Sequence, residues 1–142
     1  MGVFTRIVYS EETPDPWYEN LVIGGDTISV EIAATEEERN QGLSDRMGLR
    51  ENSGMLFVFP DEAPRTFWMY HCHFHIDLAY LDSSGVIVEI ITMLREPYQT
   101  PPEKLKRYFS KSGKIKYALE MSYKWFEKNR IKPGTKLDLE RF

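Results

Sequence analysis

Residues 76–81 read Ile-Asp-Leu-Ala-Tyr-Leu, residues 82–85 read Asp-Ser-Ser-Gly, and residues 86–94 read Val-Ile-Val-Glu-Ile-Ile-Thr-Met-Leu. Both apolar stretches have the length and composition of β-strands. The four residues between them are a strong turn signal. Two strands joined by so short a connection pair antiparallel. This part of the chain therefore predicts a buried β-hairpin.

Similar signals flank the hairpin on both sides. Residues 21–23, Gly24-Gly25-Asp26 and the alternating residues 27–32 predict a second hairpin, and the apolar run 54–59 predicts a buried strand that ends at Pro60. Thr35 and Glu38 form a capping-box pattern, which predicts a short helix over 36–43. Further short elements are predicted on the C-terminal side: a long strand-like segment 65–76, a strand 117–121, a brief helix 123–129 and a last strand 136–139.

Many short strands separated by turns are typical of a sandwich or a barrel. The predicted fold class is thus mainly β, a β-sandwich or jelly-roll-like barrel with two or three short helices. At 142 residues the chain has the length of a single domain, 1–142. Within it, 1–19 is polar and proline-marked and predicts an extended N-terminal segment, and the proline-rich and basic stretch 97–116 predicts a loop and helix excursion.

Composition limits the function classes. A formal net charge of −4 argues against non-specific nucleic-acid binding, which depends on a basic surface. The single cysteine, Cys72, excludes an internal disulfide and fits a reducing compartment. Neither a signal peptide nor a run of ~20 apolar residues for a membrane span is found in the sequence, so a cytoplasmic location is expected for the chain as given.

Six ordered blocks of sequence resemble one known family. They are Glu38–Leu43, Arg46, Gly54–Phe59, Phe67–Met69, Ile76–Asp82 and Tyr117–Glu120. The chain resembles the bacterial and archaeal domain-of-unknown-function family 192, and the resemblance extends over about residues 20–140. The resemblance implies a compact β-sandwich or jelly-roll-like domain with short helices and brings no established activity. It also implies that many relatives carry an export leader.

The chain departs from the family's pattern at two places. The family usually has a methionine where Ser44 stands, and it usually has Asn-Thr followed by a proline where residues 71–75 stand. Any role of the Asn-Thr pair in relatives therefore does not transfer to this chain.

All three histidines and the cysteine fall in one stretch, His71-Cys72-His73-Phe74-His75. Imidazole and thiolate are preferred ligands of zinc, copper and nickel. If the stretch is a strand, the histidines share one face and Cys72 points to the other. His71 and His73 then converge on one ion, and a third ligand such as Asp77 must complete the site. The alternative is a half-exposed strand whose histidines simply face solvent.

The sequence predicts binding of a small ligand or a metal ion as the function. The predicted ligand-binding residues are Phe67, Met69, His71, His73, Asp77 and Arg46, with His71 and His73 as metal ligands. Arg46 is also a candidate ion-pair partner for Glu120, which must be paired if buried in its apolar strand. No catalytic residue is predicted, because neighbouring strand residues point apart and Cys72 cannot then use an adjacent histidine as a base.

Two alternatives stay open at this point. The first is a hydrolase that uses a metal-bound water on the same face. The second is an interaction module whose basic excursion, with Lys104, Lys106 and Arg107, docks on an acidic partner.

Overall fold

A computed structural model describes residues 18–142. The extended segment predicted over 1–19 therefore lies outside the described residues, except for its last two positions, which begin the first strand. The strands are β1 Tyr18–Ile23, β2 Asp26–Ala33, β3 Ser53–Ala63, β4 Thr66–Phe67, β5 Ile76–Leu81, β6 Ile87–Met93, β7 Tyr108–Phe109 and β8 Ile115–Ser122; the α-helices are α1 Glu36–Gln41 and α2 Trp125–Lys128, and a 3₁₀ helix spans Pro102–Lys104.

Within residues 18–142, six strands form one mixed sheet in the order β1-β2-β3-β8-β5-β6, and β4 pairs with β7 in a small second sheet. β2 and β3 run parallel, and all other neighbours are antiparallel. A parallel pair needs a long crossover connection, and residues 34–52, which include α1, provide it. The predicted mainly β class with short helices is confirmed. The main sheet is open and not closed into a barrel.

The predicted central hairpin is confirmed as β5 and β6. All six residues of β5 are buried, as expected for a strand covered on both faces. The Asp82 carboxylate accepts from the amides of Ser84 and Val86, at 2.9 and 3.0 Å. Gly85 has a φ of +82°, and a Cβ there would lie 2.2 Å from the carbonyl oxygen of Leu137. The turn therefore requires glycine at this position.

Each face of the main sheet carries its own hydrophobic core, because side chains alternate along every strand. In β5, Ala79 and Leu81 belong to the first core and Leu78 and Tyr80 to the second. The first core is completed by α2 and the C-terminal residues, with Trp125, Phe126, Leu137 and Leu139. The second core contains side chains from outside the main sheet, with Leu43, Met69 and Cys72. The sheet is thus covered on both sides.

Three predicted elements differ in the structure. The segment predicted as one strand over 65–76 contains only the two-residue β4, followed by turns and bends. The last strand predicted over 136–139 is reduced to an isolated bridge between Val86 and Lys136. Strand β3 continues past Pro60, since this exposed proline lies where the pairing with β8 shifts register between Val58 and Ala63. A proline is tolerated there because no ladder hydrogen bond is lost.

The capping box before α1 forms as predicted. The Thr35 hydroxyl accepts from the amide of Glu38 at 3.1 Å, and the Glu38 carboxylate accepts from the amide of Thr35 at 3.0 Å. The Glu38 carboxylate also accepts from the amide of Ala34 at 3.0 Å, and its two hydrogen bonds from the amides of Thr35 and Ala34 are the main reason why the pKa of Glu38 is lowered. No helix among residues 18–142 is long and apolar enough to cross a membrane.

Replacing Thr35 by alanine is expected to lower the free energy of unfolding by about 1 kcal/mol, the usual effect of losing an N-cap hydroxyl. Urea denaturation measures the change. Ser83→Ala, an exposed hydroxyl in the central turn, is the control and should stay close to wild type. Equal stabilities of the Thr35 variant and the control would contradict the assigned capping role.

Candidate functional site

The histidine stretch does not have the strand geometry on which its shared face was predicted. Residues 70–75 form a turn and a bend, and His71 has a φ of +54°, in the left-handed region. Two hydrogen bonds from the loop after α1 hold this turn: the Asp45 amide donates to the carbonyl of His71 at 2.8 Å, and the Ser44 hydroxyl donates to the carbonyl of Tyr70 at 2.7 Å. The side chains of residues 70–75 therefore do not alternate strictly between two faces.

Two of the three imidazoles share a neighbour, and the third has a different partner. His71 stacks on Tyr98 with ring centroids 4.0 Å apart, and His73 lies 5.3 Å from the same ring. The Nδ1 of His75 accepts from the backbone amide of Arg95 at 2.9 Å. Within residues 18–142, no group of three or more His, Cys, Asp or Glu side chains is placed to hold a metal ion. The two-histidine half-site stays a prediction.

Two other predicted ligand-binding residues have protein partners. Arg46 pairs with Glu31 through two hydrogen bonds of 2.6 and 2.8 Å, and this bonding lowers the pKa of Glu31. Asp77 accepts from the Thr92 hydroxyl at 2.8 Å and from the amide of Lys124 at 3.1 Å. The predicted pairing of Arg46 with Glu120 is wrong, because the Arg46 guanidinium is already engaged with Glu31.

The last two predicted residues lie on the side of the second core. Met69 is 1% exposed and packs in that core. Phe67 stands edge-on to Phe57, with centroids 4.9 Å apart, and to Tyr80, at 5.9 Å. Phe67 also lines a cavity of about 250 Å³ between α1 and the main sheet. Of the six predicted ligand-binding residues, only Phe67 lines this cavity.

The Glu120 cavity, as we name it, has three kinds of wall. The rings of Phe57, Phe59, Phe67 and Trp68 form an aromatic wall; α1 and the loop after it contribute residues 39–44; the remaining lining residues are Thr66, Cys72 and Glu120. Trp68 is 37% exposed, and Asn40, Gln41 and Thr66 are exposed as well, so the mouth lies on this side. The deep side is formed by the sheet.

Glu120 is the unusual residue of this cavity. It lies in β8, opposite Met55 of β3 and Leu78 of β5, so its nearest cross-strand neighbours are apolar. The residue is 4% exposed, and among the described residues no side chain or backbone group forms a hydrogen bond or ion pair with its carboxyl. Burial raises the pKa of Glu120 to about 8. The carboxyl is therefore mostly protonated at neutral pH.

Cys72 meets the same cavity from the histidine stretch. Burial raises the pKa of its thiol to about 12, and the nearby Glu120 carboxyl adds to the shift. The thiol is thus protonated at neutral pH and is a poor nucleophile. Its Sγ lies 3.6 Å from the carbonyl oxygen of Tyr70, which fits a small buried side chain with one weak hydrogen bond.

Arg39 is the charged group on the α1 side of the cavity. Its Nη1 donates to the carbonyl of Val58 at 3.0 Å and to that of Ala34 at 2.5 Å. The guanidinium also lies 5.5 Å from the centroid of Phe59. These contacts fix Arg39 against the middle of β3, while the side chain stays half-exposed to solvent.

The sequence indicated that Glu120 is buried, but it did not indicate the cavity that Glu120 lines. An acidic residue inside the apolar run Tyr117–Met121 indicates a buried carboxyl. The missing information is the register, which places Glu120 opposite Met55 and Leu78, so that no cation among residues 18–142 pairs with it. Four of the six blocks that carry the family resemblance converge on this cavity: 38–43, 54–59, 67–69 and 117–120.

Two solved structures are similar to this chain. A "putative transcription regulator" from Sinorhizobium meliloti matches with a TM-score of 0.70 at 24% identity, covering 84% of this chain and 89% of its own. A protein of unknown function from Novosphingobium aromaticivorans matches with a TM-score of 0.72 at 22% identity, covering 85% of this chain and 84% of its own. These likenesses show the fold alone.

At the level of sequence, no curated protein matches the chain. One family does: domain of unknown function 192 (DUF192), described as "Uncharacterized ACR", matches residues 19–139. That range includes every strand but the first residue of β1 and contains all the walls of the Glu120 cavity. The chain therefore belongs to the DUF192 family, for which no activity is established.

Proposed function

We propose that this chain is a small-molecule-binding domain and that the Glu120 cavity is its site. The observation that carries the proposal is a carboxyl group, 4% exposed and without a protein partner among the described residues, on the wall of a cavity of about 250 Å³. Buried polar groups in proteins are nearly always hydrogen-bonded. A ligand in the cavity would provide the partner that the protein does not.

The size and lining of the cavity support a small ligand with an apolar part. Binding sites for drug-sized molecules have volumes of ~300–1,000 Å³ and are lined by apolar and aromatic side chains with a few polar groups. The Glu120 cavity, at about 250 Å³, is slightly smaller than this range and has four aromatic rings in its wall. It suits a molecule of the size of a substituted benzene ring.

Binding fits the side chains of the cavity better than catalysis does. The Cys72 thiol keeps its proton, and the Ser44 hydroxyl donates its proton to the carbonyl of Tyr70. Among the described residues, no hydrogen bond joins either group to a base that could activate it, since both are bonded to the carbonyl of Tyr70. A metal-assisted hydrolase remains an alternative proposal, and elemental analysis of the wild type against a His71→Ala/His73→Ala variant tests it.

Docking on an acidic partner through 103–116 also remains an alternative proposal. One of its cations is already engaged, since the guanidinium of Arg107 lies 4.2 Å from the ring of Trp68 at the cavity mouth.

Chemical-shift mapping with a fragment library tests the proposed site. We expect the amides that shift to cluster at residues 39–44, 66–68 and 120, and we expect Ser44→Met to weaken fragment binding at least tenfold. The reason is volume: Ser44 lines the cavity, and the longer methionine side chain would occupy part of it.

Ser83→Met, which adds the same side chain in the exposed central turn, is the matched control and should bind like the wild type. Shifts spread over the surface, or fragments that bind the Ser44 variant as tightly as the wild type, would overturn the proposal.

A further inference from the structure

We infer that the ligand of the Glu120 cavity is a small organic cation, whose ammonium or amidinium group pairs with the Glu120 carboxylate. This inference rests on the proposed function. It names the chemical class of the ligand, which neither the family nor its solved relatives indicate.

The first reason is the lack of a donor for Glu120. An ionised carboxylate accepts several hydrogen bonds, yet within residues 18–142 nothing donates to this one and no cation pairs with it. Its cross-strand neighbours are Met55 and Leu78, which offer only apolar side chains. An ammonium group carries three donors and a compensating charge, and such charge-assisted hydrogen bonds are about twice as strong as neutral ones.

The second reason is the aromatic wall. The face of an aromatic ring attracts cations, most strongly when solvent is excluded. This protein already uses its rings in that way: the guanidinium of Arg65 lies 4.0 Å from the centroid of Phe59, and that of Arg107 lies 4.2 Å from Trp68. A buried carboxylate in a cavity lined by aromatic rings is a combination that favours a positively charged ligand over a neutral or negative one.

Arg39 is the group that would favour an anion instead. It is half-exposed, bonded to two backbone carbonyls and placed over Phe59. Its charge is therefore solvated and already compensated in part. The Glu120 carboxyl is desolvated and has no hydrogen-bond or ion-pair partner within residues 18–142. Since charge–charge interactions strengthen as the local dielectric falls, we infer that Glu120 rather than Arg39 determines the sign of the ligand.

The competing neutral ligand would accept a hydrogen bond from protonated Glu120. The two cases have opposite pH dependence. A cation binds the ionised carboxylate, so its affinity should rise about tenfold for each pH unit below 8 and level off above it. At pH 7 the need to ionise Glu120 lowers the affinity for a cation only about tenfold. A neutral acceptor should bind more weakly as pH rises through 8.

Other titratable groups around Glu120 do not produce this profile. Burial raises the pKa of Cys72 to about 12 and also raises that of Tyr80, so both keep their protons at pH 6–9. Arg39 lies on the α1 side of the cavity, and β3 contributes the apolar Met55. His71 belongs to the same stretch as Cys72, and a His71→Gln variant, which removes the imidazole, is a further control.

Benzylamine, benzyl alcohol and benzoate form a matched series of similar size with positive, zero and negative charge. We expect benzylamine to bind the wild type at least tenfold more tightly than the other two at pH 8, measured by calorimetry, and its affinity to rise about tenfold between pH 6 and pH 7. Glu120→Gln should remove the preference for the amine, whereas Glu62→Gln, an exposed control, should keep it.

The outcomes separate the two proposals. If benzyl alcohol or benzoate binds in the cavity as tightly as benzylamine, the proposed cationic ligand is wrong but the proposed binding site is supported. An amine affinity that does not change from pH 6 to pH 8 would also overturn it. If none of the three compounds shifts the amides of 39–44, 66–68 and 120, the proposal that the Glu120 cavity is a binding site is wrong.

Discussion

Replacing Glu120 by glutamine is expected to stabilise the protein, and the gain should grow with pH. Glutamine has nearly the same shape but carries no charge, so it removes the cost of an ionisable group in the second core. From the pKa of about 8 in the folded state against 4.5 unfolded, the gain is roughly 3 kcal/mol at pH 7 and approaches ~5 kcal/mol above pH 8.

The sign follows from proton binding. Between pH 4.5 and 8 the unfolded wild type has released the Glu120 proton while the folded protein keeps it. The folded state binds more protons in this window, so the stability of the wild type falls as pH rises. Below pH 4.5 Glu120 is protonated in both states, so its ionisation no longer contributes to the free energy of unfolding. Above 8 both are ionised, and the destabilisation is complete and constant.

Urea denaturation at pH 5, 6, 7, 8 and 9 measures this gain. The curves of the wild type and the Glu120→Gln variant should lie close together at pH 5 and separate up to about pH 8. Glu62→Gln, at an exposed position, should follow the wild type at every pH. A difference between the wild type and the Glu120 variant that does not change with pH would show that the carboxyl is solvated or paired, and the proposed site would lose its main support.

A residue that lowers stability without a structural partner has a natural explanation in function. Binding sites keep groups that the folded chain alone does not need, at a cost in stability. Perturbed pKa values therefore concentrate at functional sites. Because a bound cation would compensate the Glu120 carboxylate, the ligand should recover stability at high pH, where the unliganded protein is weakest.

The sequence was sufficient for features that depend on neighbouring residues. The capping box of Thr35 and Glu38 and the Asp82–Gly85 turn both formed as predicted, because each is closed by hydrogen bonds over two to four positions. The apolar run 54–59 became part of β3 for a similar reason. What the run could not reveal was its pairing, parallel to β2 and antiparallel to β8.

The segment 65–76 shows where local pattern fails. Its alternation of side chains fits a strand, yet Met69 and Cys72 both enter the second core although they are three positions apart. The turn at His71 makes this possible, and it is held by Ser44 and Asp45 from a loop distant in sequence. A prediction from neighbouring residues alone cannot include such contacts. The histidine site was placed on a strand that does not exist.

The cavity could not be predicted from the sequence, for the same reason. Each of its walls comes from a different part of the chain, and only the register of β3, β8 and β5 leaves Glu120 among apolar neighbours. Predicting that a buried Glu120 needs a partner was sound physical reasoning. The predicted partner was wrong because Arg46 lies beside Glu31, with which it forms a bidentate pair.

Replacing Gly54 by alanine should destabilise the protein by at least ~3 kcal/mol, since overpacking against backbone cannot relax by a change of rotamer. Gly54 lies in β3, paired with Met121 of β8. A Cβ at this position would lie 2.2 Å from the carbonyl oxygen of Glu120 and 2.4 Å from the sulfur of Met121. Relief of the clash requires β3 and β8 to separate in the middle of the main sheet.

Gly48→Ala is the matched control, because a Cβ there would meet nothing within 4 Å, and it should unfold within ~0.5 kcal/mol of the wild type. Urea denaturation of both variants measures the contrast. The added Cβ of the Gly54 variant would press on the backbone carbonyl of Glu120 itself. A folded Gly54 variant should therefore also bind benzylamine more weakly. A Gly54 variant as stable as the Gly48 control would mean that β3 and β8 are not in the close contact on which the position of the Glu120 carboxyl depends.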